Sequence, residues 1–192
     1  MAWYLRAAHV LAKVNAPILT VGRALGIFCM AMMVVFILIQ VFWRYVLSNP
    51  LPWPEEAARF LMLWLMIVAP TALRRGGFVA IDMIQLVLPR RAGILLTLFL
   101  TAISLLVLVV AAQIGWSEVT GFSGRFKTSS LYYPTLGGWE KMPRSWMMAS
   151  LLVGILMMVL VTIELIFRQI AMLGGREDEL PVIPHTDTVG AE

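Results

Sequence analysis

The chain has 192 residues, of which 60% are hydrophobic and only 14% are charged, and its formal net charge is +4. A soluble domain of this size needs more charge to cover its surface, so the composition excludes an ordinary water-soluble protein. The apolar residues are concentrated in long runs, which indicates that lipid is the surrounding solvent. Because most positive charges lie between those runs, we interpret them as contacts with membrane headgroups and not with nucleic acid.

The N-terminal segment, residues 3–14, predicts a short amphipathic helix at the membrane surface. Arg6, His9 and Lys13 share one helical face, and apolar side chains occupy the other. A frayed lead-in to the first spanning helix is the alternative interpretation. Residues 15–17 end in a proline, so we expect the helix to break there.

Four long apolar runs follow, and they predict an all-α integral membrane protein with transmembrane helices at about 22–46, 54–73, 92–116 and 145–168. The second run is short and begins with a proline and two acidic residues, which suit the first turn of a helix. The third run is long enough to cross the bilayer at a tilt. We expect residues 1–173 to form a single membrane domain and residues 174–192 to form a polar, disordered cytoplasmic tail.

Between the second and third runs, residues 78–89 predict a further helix that lies in the membrane plane. The segment is apolar except for Asp82 and Gln85, which share a helical face, and it is too short to span. A buried extended hairpin is the alternative. Arginines bracket the segment, and we predict them to be membrane-surface anchors: Arg74, Arg75, Arg90 and Arg91.

The distribution of positive charge predicts which way the chain faces. Arginine and lysine residues divide nine to six between the two sides of a four-crossing topology. The positive-inside rule then places both termini in the cytoplasm.

The sequence lacks the residues that enzymes and cofactor proteins need. It has two histidines, His9 and His185, and neither lies in a predicted spanning helix, which excludes a bis-histidine haem and a histidine-based metal centre. It also lacks a phosphate-binding glycine loop and a Ser–His–acid grouping within the membrane. We therefore predict that the chain is not an enzyme and holds no cofactor.

Ionisable residues near membrane depth are the remaining candidates for function. Glu55, Glu56 and Arg59 are three and four residues apart, and Gln40 lies one turn from Arg44, so these side chains can meet on helix faces. They are either interfacial ion pairs, or a polar seam that docks the chain against a larger membrane partner. A third interpretation makes one of the glutamates a proton-coupling carboxylate, which the adjacent arginine disfavours.

Specific motifs support the docking interpretation. Residues 42–46 read Phe-Trp-Arg-Tyr-Val, residues 52–59 read Pro-Trp-Pro-Glu-Glu-Ala-Ala-Arg, and residues 73–77 read Leu-Arg-Arg-Gly-Gly. With Trp64 and Asp82, this combination resembles the DctQ-like small-subunit family of tripartite ATP-independent periplasmic (TRAP) transporters. The motif-level resemblance covers about residues 40–89. One departure is Phe78, since the family often has histidine at that place.

The resemblance implies a small scaffold subunit in the bacterial inner membrane. It would enlarge the static part of an elevator-type large subunit that carries sodium and an organic acid, such as a dicarboxylate or sialic acid, delivered by a periplasmic binding protein. The loops at 48–53 and 117–144 are candidate contacts for that protein. The residues expected to secure packing within the chain and against the large subunit are Gln40, Arg44, Trp53, Glu55, Glu56, Arg59, Trp64 and Asp82. The alternative function is a self-contained, proton-coupled four-helix exporter that acts as a homodimer.

Overall fold

The computed structural model describes residues 3–75, 89–135, 138–175 and 179–181. Its elements in chain order are α1 (Trp3–Tyr45), α2 (Trp53–Trp64), a 3₁₀ turn (Leu65–Val68), α3 (Ala69–Arg74), α4 (Arg90–Thr120), a second 3₁₀ turn (Ser123–Arg125), β1 (Lys127–Thr135), β2 (Gly138–Pro143) and α5 (Ser145–Leu173). Within these residues, four helical segments are long and apolar enough to span a membrane, namely α1, Trp53–Arg74, α4 and α5. The all-α membrane fold is confirmed. The predicted in-plane helix at 78–89 lies outside the described residues, apart from Pro89.

The spanning helices alternate in direction, so the molecule has two distinct ends. Phe36 of α1 contacts Trp53 at the start of α2, whereas Arg74 at the end of α3 donates a hydrogen bond to the carbonyl of Ala12 near the start of α1. We call the end that holds the start of α1 and the end of α5 the termini end. The opposite end, which holds the start of α2 and the two β-strands, is the hairpin end.

Helix α1 packs through a regular stripe of small and apolar residues. The buried positions recur at alternating spacings of three and four, a pattern that keeps one face on its neighbours as in left-handed helix packing. They are Leu5, Ala8, Ala12, Asn15, Leu19, Gly22, Gly26 and Cys29. The N-terminal segment is therefore helical, as expected, and its start packs on α5 through an edge-to-face contact of Trp3 with Phe167 at 5.8 Å.

The predicted break at residues 15–17 is wrong, because α1 continues through Pro17. The proline lies on the exposed face, so its ring and its missing N–H group do not disturb the packed stripe. Asn15 and Leu19, on either side of it, are both buried and hold the helix in place. At about 1.5 Å per residue, the uninterrupted helix is about 65 Å long, roughly twice the thickness of the hydrocarbon layer.

The second span tightens into a 3₁₀ turn just before Pro70, and the proline accounts for the change. In an α-helix the proline ring would collide with the carbonyl of Met66, four residues earlier. The chain tightens instead, and the Ala69 N–H group donates to the Met66 carbonyl, three residues back. The turn packs directly against α1 at Gly26. A Cβ atom added to this glycine would come within 2.1 Å of Val68 Cγ2.

The predicted loop at 117–144 contains regular structure that the sequence interpretation missed. Helix α4 continues to Thr120, and β1 and β2 then form an antiparallel two-stranded sheet. In this hairpin Tyr132 lies opposite Lys141, and Tyr133 lies opposite Glu140. The ring of Tyr133 lies 5.7 Å from that of Trp146, so the hairpin rests against the start of α5.

Candidate functional site: two polar clusters at opposite ends of the helices

At the hairpin end, Glu55 connects α1 and α2. It forms an ion pair with Arg59, one turn later on the same helix, and its other oxygen accepts a hydrogen bond from Gln40 Nε2 at 3.3 Å. The sequence spacing predicted that Glu55 and Arg59 meet, and they do. Both side chains are largely exposed, at 53% and 72%, so the pair adds at most about 1 kcal/mol to stability. The bond from Gln40 to Glu55, and not the ion pair, is the contact that joins α1 to α2 at this level.

Glu56 connects α2 to the hairpin. Its carboxylate accepts a hydrogen bond from the Ser130 N–H group at 2.6 Å and a second one from the Ser130 hydroxyl. The sequence interpretation grouped Glu56 with Arg59 on the same helix and did not foresee this contact. The reason is that Ser130 is 74 residues away in the chain, on a strand that was expected to be an irregular loop.

The remaining members of the predicted seam are two tryptophans, Arg44 and Asp82. Trp53 contacts Phe36 of α1 edge to face at 5.7 Å, so it helps to join α1 and α2. Trp64 is buried at its indole Nε1, which has no hydrogen-bond partner in the part of the chain that the structure describes. Arg44 lies over the ring of Tyr45 at 5.7 Å, and Asp82 lies outside the described residues.

At the termini end, a fully buried carboxylate, Glu164, joins three helices. Its Oε2 atom accepts a hydrogen bond from Asn15 Nδ2 of α1 at 2.8 Å. Its Oε1 atom accepts bonds from Arg74 Nη2 of α3 at 2.8 Å and from Arg168 Nε of α5 at 3.2 Å. We call Asn15, Arg74, Glu164 and Arg168 the Glu164 cluster.

The Glu164 cluster is almost completely removed from solvent. The Glu164 side chain is 0% exposed, and those of Arg74 and Arg168 are 10% and 7% exposed. Burying a carboxylate is costly unless opposite charges and hydrogen bonds replace its water. Two guanidinium groups and an amide do so here. The cluster therefore fixes α1, α3 and α5 relative to one another by directional bonds as well as by apolar contacts.

The C-terminal segment 179–181 lies against the same end. The Arg168 Nη2 group donates to the Pro181 carbonyl at 2.8 Å, and the His9 ring nitrogen Nε2 lies 2.8 Å from the Glu179 carbonyl oxygen. The sequence interpretation assigned this segment to a disordered tail, whereas these residues are hydrogen-bonded to α1 and α5. Residues 176–178 and 182–192 lie outside the described part.

The four predicted surface arginines have different surroundings. Arg74 is not on the surface, because it is drawn between the helices by Glu164. This corrects its assignment as a headgroup anchor, and the physical reason is that the buried carboxylate of Glu164 needs an opposite charge in place of water. Arg75 is half-buried, and Arg91 is exposed. The side chain of Arg90 is not among those described.

The sequence interpretation gave Glu164 and Arg168 no role, and it assigned Asn15 to a helix break. A usable signal was present, since each is a strongly polar residue next to a long apolar run. The presence of a polar residue beside an apolar run does not show which other residue it binds. The contact between Asn15 and Glu164 joins residues that are 149 positions apart.

These features define a class of protein: a multi-pass helical membrane protein whose polar groups tie its own helices together. The chain matches the model of the DctQ component of the tripartite ATP-independent periplasmic transporters over residues 33–172. It is 31% identical over 137 residues to the sialic acid TRAP transporter small permease protein SiaQ of Vibrio cholerae, which covers 71% of this chain and 73% of that protein. No solved structure matches.

The chain therefore belongs to the DctQ family, the small permease subunits of TRAP transporters. This confirms the resemblance seen in residues 40–89 and extends it well beyond them. Glu55, Glu56, Glu164 and both arginines of the Glu164 cluster lie within the matched region, whereas Asn15 and the N-terminal half of α1 precede it.

Proposed function

We propose that the chain is the scaffold subunit of a sodium-coupled, binding-protein-dependent TRAP transporter. In this role it anchors the large elevator-type subunit and enlarges its static part. The observation that carries the proposal is the Glu164 cluster, because it uses the buried ionisable groups to lock helices together. A transport pathway needs polar groups that exchange partners as cargo passes, whereas Glu164 is enclosed and bonded to two arginines.

The proposed cargo is an organic acid, such as sialic acid or a dicarboxylate. The name of the Vibrio cholerae relative supports sialic acid as a candidate. On this proposal the large subunit binds both the cargo and the sodium ions. The small subunit then has no cofactor and no catalytic activity of its own.

We place the chain in the bacterial inner membrane with both termini in the cytoplasm. The antiparallel helices put the start of α1 and the end of α5 at the same end of the molecule, and the nine-to-six division of positive charge supports the cytoplasmic side. The hairpin end then faces the periplasm. The orientation can be tested with a reporter that is active only in the periplasm, fused to each terminus. Activity of both fusions would contradict this orientation.

The proposed surface for the periplasmic binding protein combines two loops that are distant in sequence. The bonds from Ser130 to Glu56 hold β1 against the start of α2. Between them is a groove of about 430 Å³, lined by Pro52, Trp53, Ser130, Leu131 and Tyr132. The loops at 48–53 and 117–144 would therefore act as one surface.

The test is purification of the chain together with the large subunit of the same transporter, followed by reconstitution. We expect a stable complex, and sodium-dependent uptake that requires this chain, the large subunit and the binding protein. Glu56→Ala and Arg59→Ala are expected to weaken complex assembly or uptake, and Arg23→Ala, which removes an exposed charge on α1 outside both loops, is the control. Transport by this chain alone in liposomes would support the homodimeric exporter and refute the scaffold.

A further inference from the structure

The C-terminal segment 179–181 returns to the level of the Glu164 cluster after α5 has ended. Helix α5 ends at Leu173, yet the Pro181 carbonyl lies 2.8 Å from Arg168 Nη2, which is more than one turn before that end. At the exit of the helix, Gly175 has a φ of +69°, a conformation that residues with a side chain rarely adopt. The chain therefore folds back against its last helix.

The charges of the Glu164 cluster do not balance without further partners. Two guanidinium groups face one carboxylate, so one positive charge is in excess among side chains that are at most 10% exposed. Carbonyl oxygens are acceptors that offset part of such an excess. Arg74 donates to the Ala12 carbonyl at 3.3 Å, and Arg168 donates to the Pro181 carbonyl at 2.8 Å. The first carbonyl belongs to a spanning helix, whereas the second belongs to the segment 179–181.

The same segment holds the start of α1. His9 Nε2 lies 2.8 Å from the Glu179 carbonyl oxygen, and because a carbonyl can only accept, the ring nitrogen is the donor. Two carbonyls of the segment, two residues apart, therefore contact α1 and α5. Both belong to the backbone, and Leu180 between them is half-buried. One short segment thus joins the two helices and completes the partners of the buried cluster.

We propose that residues 179–181 form a releasable strap, which closes the Glu164 cluster and fastens the start of α1 to α5. The strap is attached through two hydrogen bonds, and such bonds are individually modest. The spanning helices have separate attachments, namely the buried stripe of α1 and the bonds of Glu164. Release of the strap therefore opens Arg168 to water while the spanning helices stay packed. The strap is a property of this chain alone and does not depend on the scaffold role.

The first test measures the accessibility of Arg168 in the full-length chain in detergent. Phenylglyoxal modifies accessible guanidinium groups, and mass spectrometry of the peptides gives the rate at each arginine. Gly175→Ala is expected to raise the rate at Arg168 by roughly tenfold, because alanine disfavours the positive φ that the closed strap requires. Gly138→Ala is the matched control, since Gly138 also has a positive φ but lies in the hairpin. Arg6, exposed on α1, should react equally in all variants.

The second test is a double-variant cycle between His9 and the strap. His9→Leu removes the donor to the Glu179 carbonyl, and a chain that ends after Gly175 lacks the strap altogether. His9→Leu is expected to lower the melting temperature of the full-length chain and to have no effect in the shortened one, because residues in contact are not additive. Lys13→Ala, at an exposed position of α1, should have the same effect in both chains. Arg168 in the shortened chain should react with phenylglyoxal about tenfold faster or more.

Three outcomes would overturn the strap. Equal reactivity of Arg168 in the full-length chain, in Gly175→Ala and in the shortened chain would show that the segment does not close the cluster. An equal effect of His9→Leu with and without the strap would show that His9 acts independently of it. If the shortened chain loses its spanning helices, as followed by circular dichroism, the segment is an obligatory part of the fold and not a releasable strap.

Discussion

Removal of the Glu164 carboxylate is the most direct test of how the helices are held together. In Glu164→Ala, Arg74 and Arg168 lose the oxygen atom on which both converge, and two nearly buried guanidinium groups face each other without a counter-ion. Breaking a buried ion pair by removing one partner costs about 3–5 kcal/mol. For a chain of this length, that corresponds to a fall in melting temperature of roughly 6–20 °C.

The assay is thermal unfolding of the purified chain in a fixed detergent. Unfolding is measured as the loss of the monodisperse species on size-exclusion chromatography after heating. Glu55→Ala is the matched control, since Glu55 also accepts from an arginine one turn away but is largely exposed. We expect the control to change stability by less than about 1 kcal/mol. If the two variants lose the same amount of stability, the argument from burial is refuted.

A compensating variant separates lost charge balance from lost packing. Arg74→Met, Glu164→Leu and Arg168→Met together replace the three charged members of the cluster by apolar side chains and leave Asn15 in place. Because an apolar replacement of a buried ion triad is often neutral or stabilising, we expect the triple variant to recover most of the stability lost by Glu164→Leu alone. No recovery would show that the directional bonds, and not the balance of charge, hold the helices.

Three further predictions concern other contacts. Gly26→Ala is expected to destabilise the chain by about 1–3 kcal/mol, because the new methyl group meets the stiff side chain of Val68 at 2.1 Å. Ser130→Ala removes one hydrogen bond to Glu56 and is expected to speed amide exchange in β1, as measured by mass spectrometry. Pro17→Ala restores a backbone donor on the exposed face of α1 and is expected to raise the melting temperature.

Each of these has a control within the chain. Gly115→Ala meets a leucine side-chain methyl at 3.3 Å and should cost less than Gly26→Ala. Ser117→Ala removes a hydroxyl that donates to the Ile114 carbonyl of its own helix, so it should leave exchange in β1 unchanged. If Pro17→Ala lowers the melting temperature instead, the proline stabilises α1 although it lies on the exposed face.

The spanning helices were predictable because their hydrophobic runs are long and the lipid environment allows few backbone arrangements. The error at Pro17 came from treating a local rule as sufficient. Proline disfavours a helix interior by removing one hydrogen bond, but the stripe from Leu5 to Cys29 supplies tertiary contacts on both sides of it. Knowledge of that stripe's partner, α5, was needed to see that the packing outweighs the break.

The polar contacts divide in the same way between local and distant ones. Glu55 and Arg59 were paired correctly, because helical geometry alone brings residues four apart together. The partners of Glu56 and Glu164 were missed, because they lie on elements far away in the chain. The hairpin was missed for a related reason. Strand pairing depends on a partner strand, and the glycine and serine content of the segment indicated a loop.

The positions of the polar contacts explain why this small chain is suited to be a static element. At the hairpin end, Gln40 bonds to Glu55, and at the termini end Arg74 bonds to the Ala12 carbonyl, so α1 is tied to the second span near both of its ends. Sliding one helix past the other by a single turn, about 5.4 Å, would break both ties at once and would separate Glu164 from Asn15. A shear motion therefore has no intermediate position in which the polar groups keep their partners. On the proposed scaffold role, movement within the transporter would be left to the large subunit, and this chain would be the fixed body against which it moves.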